Sequence, residues 1–117
     1  MQKTFEVHSV YGGTTICTLE KGAYSNNGHI ALSLWCDEGP YANITVNLEQ
    51  TKRFPKNFGF VDTNNFSAGV DLIKQLGIGK PTGVRGISGW CEYPLYEFDE
   101  EAIDQYLLKM SDVIKEE

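Results

Sequence analysis

A chain of 117 residues with 41% hydrophobic and 22% charged residues can bury a core of its own, and it has no run of about 20 apolar residues able to cross a membrane. Its net charge of −6 is uneven: residues 92–117 carry nine acids against Lys109 and Lys115, while residues 1–91 carry seven acids and eight bases. The chain therefore reads as a single domain over 1–117, with a near-neutral body and an acidic end, so acidity alone does not exclude contact with nucleic acid.

Met1 to Glu6 show no apolar stretch behind a basic start, so no secretory signal is read there and a cytoplasmic location is expected. Cys17, Cys36 and Cys91 are odd in number and lack C-x-x-C spacing. That argues against a disulfide framework or a thiolate metal site, and the three are expected to be small buried apolar residues. No metal and no cofactor is expected.

In chain order, the first half has the period-two alternation of an antiparallel β-meander. Tyr11-Gly12-Gly13 suits a three-residue hairpin loop and Asn27-Gly28 a type I′ turn, while Asp37-Glu38-Gly39-Pro40 ends the third strand. These turns set Phe5 opposite Leu19, Val7 opposite Cys17, Leu19 opposite Cys36 and Lys21 opposite Leu34, with apolar residues on one face. A fourth strand puts Ala42, Ile44, Val46 and Leu48 inward and Asn43, Thr45, Asn47 and Glu49 outward. The outer face shows Glu6, His8, Thr18, Glu20 and Trp35.

A short strand at 58–62 leads to a helix capped at Asn64 or Asn65, with Phe66, Val70, Ile73 and Leu76 on its apolar side and Gly77 as a left-handed cap. Asp99 caps a second helix, whose stripe is Ile103, Tyr106, Leu107, Met110 and Ile114. The glycine-rich stretch between them holds one or two strands, and Pro94 points to an edge. The expected fold is α+β: an antiparallel meander of four or more strands with two helices packed on one face.

Chemistry-bearing patterns are few. Gly77-Ile78-Gly79-Lys80-Pro81-Thr82 fails as a phosphate loop, because the first glycine position falls on Lys74, proline replaces the Ser/Thr, and the stretch follows a helix. The register separates Cys17 from His8, so no thiol and imidazole pair forms. Cys91, Asp62 and Lys80 are the only loose candidates for an enzyme, and no enzymatic activity is expected.

Two binding surfaces remain. Lys80, Arg85, Trp90, Tyr93 and Tyr96 surround the glycine stretch, and Trp, Tyr and Arg are the types enriched at interaction hot spots. Lys52, Arg53, Phe54 and Lys56 mix cations with an aromatic, as a single-strand nucleic-acid contact does.

Phe60 to Asn65, Gly79-Lys80-Pro81-Thr82-Gly83, Ser88-Gly89, Cys91 and Tyr93-Pro94-Leu95-Tyr96-Glu97-Phe98 together resemble a family of small bacterial proteins of unknown function carried on conjugative transposons and other mobile elements. The resemblance runs from Thr4 to Tyr106. It implies a cytoplasmic accessory role in a mobile element, without assigned catalytic residues. The expectation is a non-catalytic interaction domain whose partner is another protein, with nucleic-acid binding through residues 52–56 as the alternative.

Overall fold

The computed structural model describes residues 4–8 and 12–107. Strands β1 (Thr4–His8), β2 (Thr14–Ala23), β3 (Ile30–Cys36) and β4 (Gly39–Asn43) form an antiparallel meander in chain order. Val7, Cys17, Leu19, Leu32 and Leu34 are buried along its inner face, as the alternation requires.

The register differs from expectation in an instructive way. Phe5 lies opposite Cys17, and Leu19 opposite Leu34, so both pairings are displaced by two residues. Because side chains alternate with period two, a slip of two leaves each on its expected face. His8 and Cys17 accordingly stay on opposite faces, and His8 Nδ1 lies 3.1 Å from Thr14 Oγ1 instead. The second displacement has a visible cause. A type I′ turn needs positive φ at both central residues, but only Gly28 has it, at +71°. The chain closes a longer loop, with the Tyr24 N–H donating to the His29 carbonyl at 3.0 Å and the Gly28 N–H to the Tyr24 carbonyl at 2.7 Å.

The expected fourth strand is broken. Past β4 the chain changes sheets at Ile44, whose N–H donates to Leu32 in the meander at 2.9 Å while its carbonyl accepts from Asp62 at 2.8 Å. Strands that turn a corner between two sheets do this at a local break. β5 (Thr45–Val46) then belongs to a second antiparallel sheet with β6 (Phe58–Val61), β7 (Gly79–Ser88) and β8 (Cys91–Phe98), ordered β5-β6-β8-β7. Thr45, expected outward, is consequently buried, and its hydroxyl accepts the Leu32 N–H at 3.0 Å.

The architecture is thus two antiparallel sheets of four strands with two short helices. Helix α1 (Gly69–Leu76) and helix α2 (Glu100–Asp104) add Leu72, Ile73, Leu76 and Ile103 to the cluster that holds Leu19 and Leu34 from the first sheet and Val61 and Phe98 from the second. α1 starts later than expected. The Asp62 carboxylate accepts from the backbone and side chain of Asn65, and Phe66 donates to the Asp62 carbonyl, so an independent turn precedes the helix. Gly77 at φ +68° ends it in the left-handed cap, and Asp99 caps α2 by accepting from Glu101 and Ala102 at 3.1 and 3.2 Å. Met110 and Ile114 lie outside the described residues.

Pro94 does not mark an edge strand: β8 is an inner strand, and β5 and β7 are the edges of its sheet. Pairing with β6 ends at Leu95, so at Pro94 the strand is paired with β7 alone, where a missing N–H breaks no β6 ladder bond. The second sheet has a further covered face. Leu48, Phe60, Tyr93 and Leu95 form a separate cluster, with Phe54 edge-on to Phe60 at 6.0 Å. Each such side chain removed from water contributes about 1.5–3 kcal/mol before ordering costs.

Candidate functional site

β7 and β8 form a long hairpin whose two-residue turn is Gly89-Trp90, closed by Ser88 opposite Cys91. Gly89 has φ +61° and no other described residue of the turn is left-handed, the pattern a type II′ turn requires. This turn holds Trp90 at the tip with its side chain wholly in solvent, at 104% relative exposure. Five large hydrophobic side chains are exposed among the described residues, and three of them, Val84, Ile87 and Trp90, fall within seven residues of this hairpin.

One face of the hairpin is committed to packing. Gly86 approaches so closely that an added Cβ would stand 2.6 Å from Phe60 and 2.8 Å from Leu48. Arg85 and Ile87 alternate with Gly86, so they project from the other face, about 7 Å apart along the strand. The free edge of β7 is partly closed. The Gln50 side-chain amide accepts from the Ile87 N–H and donates to the Ile87 carbonyl, each at 3.2 Å, standing in for a neighbouring strand. A pairing irregularity between Pro81 and Arg85, with Gly83 at φ +86°, interrupts the edge further on. The hairpin thus exposes its side chains more than its backbone.

The five residues first grouped around the glycine stretch are spread over this hairpin. Arg85 and Trp90 are exposed toward its outer half. Lys80 lies at the base, 3.7 Å from Glu97, on the order of 25 Å along the strand from the turn. Tyr93 and Tyr96 are both buried and enter different clusters, because three residues of separation on a strand turns them to opposite faces. Ile87 was missed; its signal was an apolar residue flanked by Gly86 and Ser88 in a stretch otherwise rich in turn residues.

Lys52 and Arg53 are exposed on the 3₁₀ turn Glu49–Arg53, where Lys52 pairs with Glu49 at 3.6 Å. Lys56 donates to the Asn27 carbonyl. Phe54 turns inward, stacked on Phe58 at a ring separation of 6.4 Å, while its carbonyl accepts from Nε2 of buried His29 at 2.6 Å. The cations of that loop are in solvent, but its aromatic ring is in the second cluster. Asp62, Lys80 and Cys91 do not converge: Lys80 and Cys91 lie at opposite ends of the hairpin, and Asp62 follows β6. Among the described residues, no three His, Cys, Asp or Glu side chains gather where they could hold a metal.

A cleft of about 460 Å³ lies elsewhere, over the outer face of the meander. Its floor is shallow in side chains because Gly22 pairs with Ala31 there. Glu20, Ser33 and Asn43 stand directly opposite one another across β2, β3 and β4, giving a polar row with the half-exposed Trp35 beside it. Tyr24 walls the other end, its hydroxyl 2.8 Å from Thr45 Oγ1. Burial pushes the Tyr24 hydroxyl above its ordinary pKa, and the nearby Asp62 charge adds to this while Thr45 offsets part of it. The sequence had shown Glu20 and Trp35 as outward, but not that small residues hollow the surface between them and Tyr24.

The fold and these surfaces define a small two-sheet α+β domain with an exposed aromatic hairpin and a polar cleft. The chain belongs to the family described as a domain of unknown function, DUF4313, whose model matches residues 18–116. Comparisons with curated proteins and with solved structures give no match. No helix is long and apolar enough to cross a membrane among the described residues.

Proposed function

We propose that this protein is a non-catalytic binding module that docks on another protein through the outer half of the β7–β8 hairpin, and that it serves as a cytoplasmic accessory protein of a mobile genetic element. The observation that carries the docking reading is Trp90, fully exposed on a tight turn with Ile87 at 59% exposure behind it. The paired strands on either side of the two-residue turn fix the backbone that presents the indole, so less backbone freedom is lost when it enters a partner's pocket. Trp and Arg dominate binding hot spots, and Arg85 shares the outer face with Ile87. The complementary surface on the partner is an apolar pocket for Trp90 with a carboxylate within reach of Arg85. The mobile-element setting rests on the resemblance of the hairpin and its flanks to the small proteins of such elements.

The test is site-specific photo-crosslinking, with a benzophenone amino acid in place of Trp90 in cells that carry the protein's native genomic neighbourhood. One discrete adduct is expected, diminished by adding Arg85→Ala or Ile87→Ser. Absence of any adduct that competes with untagged protein, or an adduct made of nucleic acid, would overturn the reading.

A further inference from the structure

The cleft on the outer face of the meander has a chemistry unrelated to the hairpin. Glu20 is exposed and stands next to Trp35 on the diagonal of the β2–β3 ladder, since Trp35 pairs with Thr18 and Glu20 with Ser33. Diagonal neighbours have their side chains roughly 7–8 Å apart, room for a cationic nitrogen to touch the carboxylate and the indole face together. Asp62 adds a second negative charge at the Tyr24 end; its oxygens already accept from Asn65 at 3.1 and 3.3 Å, so it acts by its field.

The one cation lining the cleft, Lys21, is turned away: its Nζ lies 3.4 Å from both Glu100 and Asp104 of α2, on the inner side of the sheet. With its ammonium engaged there, Lys21 does not offset Glu20, and no other described cation lines the cleft. Ser33 and Asn43 supply hydroxyl and amide groups in line with Glu20 for a ligand's remaining N–H groups. An aromatic wall, a carboxylate that no described cation lining the cleft offsets and adjoining neutral acceptors recognise a positive charge spread over N–H groups. Phosphates and carboxylates meet repulsion in the same space.

We infer that the cleft between Trp35 and Tyr24 is a binding site for a small organic cation, an ammonium or guanidinium compound, held by the Glu20 carboxylate and the Trp35 ring.

The chain has two tryptophans, so the full-length Trp90→Phe protein leaves Trp35 as the only indole reporter. Its emission is titrated with agmatine and with spermidine, and separately with glucose and with glutamate as neutral and anionic comparators. A saturable change is expected with at least one of the two cations and with neither comparator, and added salt should weaken it. Glu20→Gln should weaken that binding by about tenfold or more, the loss of a charge-assisted contact. Gly22→Val gives an independent check, because nothing lies within 4 Å of a Cβ there and the added side chain fills the floor without altering charge. It should abolish the signal while thermal unfolding stays near that of the parent. The inference is overturned if neither cation gives a saturable change up to about 10 mM, a Kd too weak to reflect a built site. It is equally overturned if glucose or glutamate binds as well as the cations, or if Glu20→Gln and Gly22→Val titrate like the parent. Loss of hairpin crosslinking leaves this outcome untouched, since Trp90 is absent from the titrated protein.

Discussion

At the residue scale, the sharpest constraint is Gly86. Its backbone is not left-handed; glycine is required there by space, since a methyl group would press on the Phe60 ring, Leu48 and the Gln50 amide at 2.6, 2.8 and 2.9 Å. Gly86→Ala forces ring and strand apart and should cost about 1–3 kcal/mol of unfolding free energy, read from urea denaturation. Gly13→Ala, where nothing lies within 4 Å, is the matched control and should cost far less. The sequence marked Gly86 only as one of five glycines between the helices. That Phe60 and Leu48 converge on it depends on partners 26 and 38 positions away, and no local pattern carries that information. Tyr93 and Tyr96 show the same limit in the opposite sense. Their residue types suit an interface, yet both are drawn into packing because β8 is covered on each face.

At the element scale, capping and periodicity were legible because they are local. Asp99 followed by Glu100 and Glu101 identified the start of α2, and the carboxylate does accept from two otherwise unpaired backbone N–H groups. Asp99→Ala should lower stability by about 0.5–2 kcal/mol, with hydrogen exchange quickening first at Glu101 and Ala102. Lys21 strengthens the same element from outside through Glu100 and Asp104, so part of α2 survives loss of the cap. Where local signals competed, the sequence misled. Asp62, Asn64 and Asn65 each suit a helix start, and the Asp62 turn took precedence over a cap at either asparagine. The hairpin itself was half legible: strands were expected in the glycine-rich stretch, but Pro94 suggested an edge, and β8 proved to be an inner strand whose pairing with β6 ends at Leu95, before the proline.

At the scale of the whole molecule, the two sheets meet at Ile44 and Thr45. Thr45 is buried, satisfies the Leu32 N–H of the meander and bonds the Tyr24 hydroxyl, while its backbone pairs with Val61 in the second sheet. Thr45→Val keeps the shape but strands a buried donor, so a loss of about 1–3 kcal/mol is expected, with exchange of the Leu32 amide accelerated. If the joint were peripheral, that amide would exchange as in the parent. The amino-acid sequence by itself determined the alternation of the first strands, hence which side chains face the core, and the chain-local caps at Gly77 and Asp99. It did so because strand and helix periodicities and backbone capping act within a few residues. Only the tertiary structure decided that the chain changes sheets at Ile44, that Trp90 alone of the aromatic run stays in water, and that a cleft opens beside Trp35. Those follow from which distant strand ends where, a balance of burial and backbone hydrogen bonding summed over the fold and invisible to any single window of sequence.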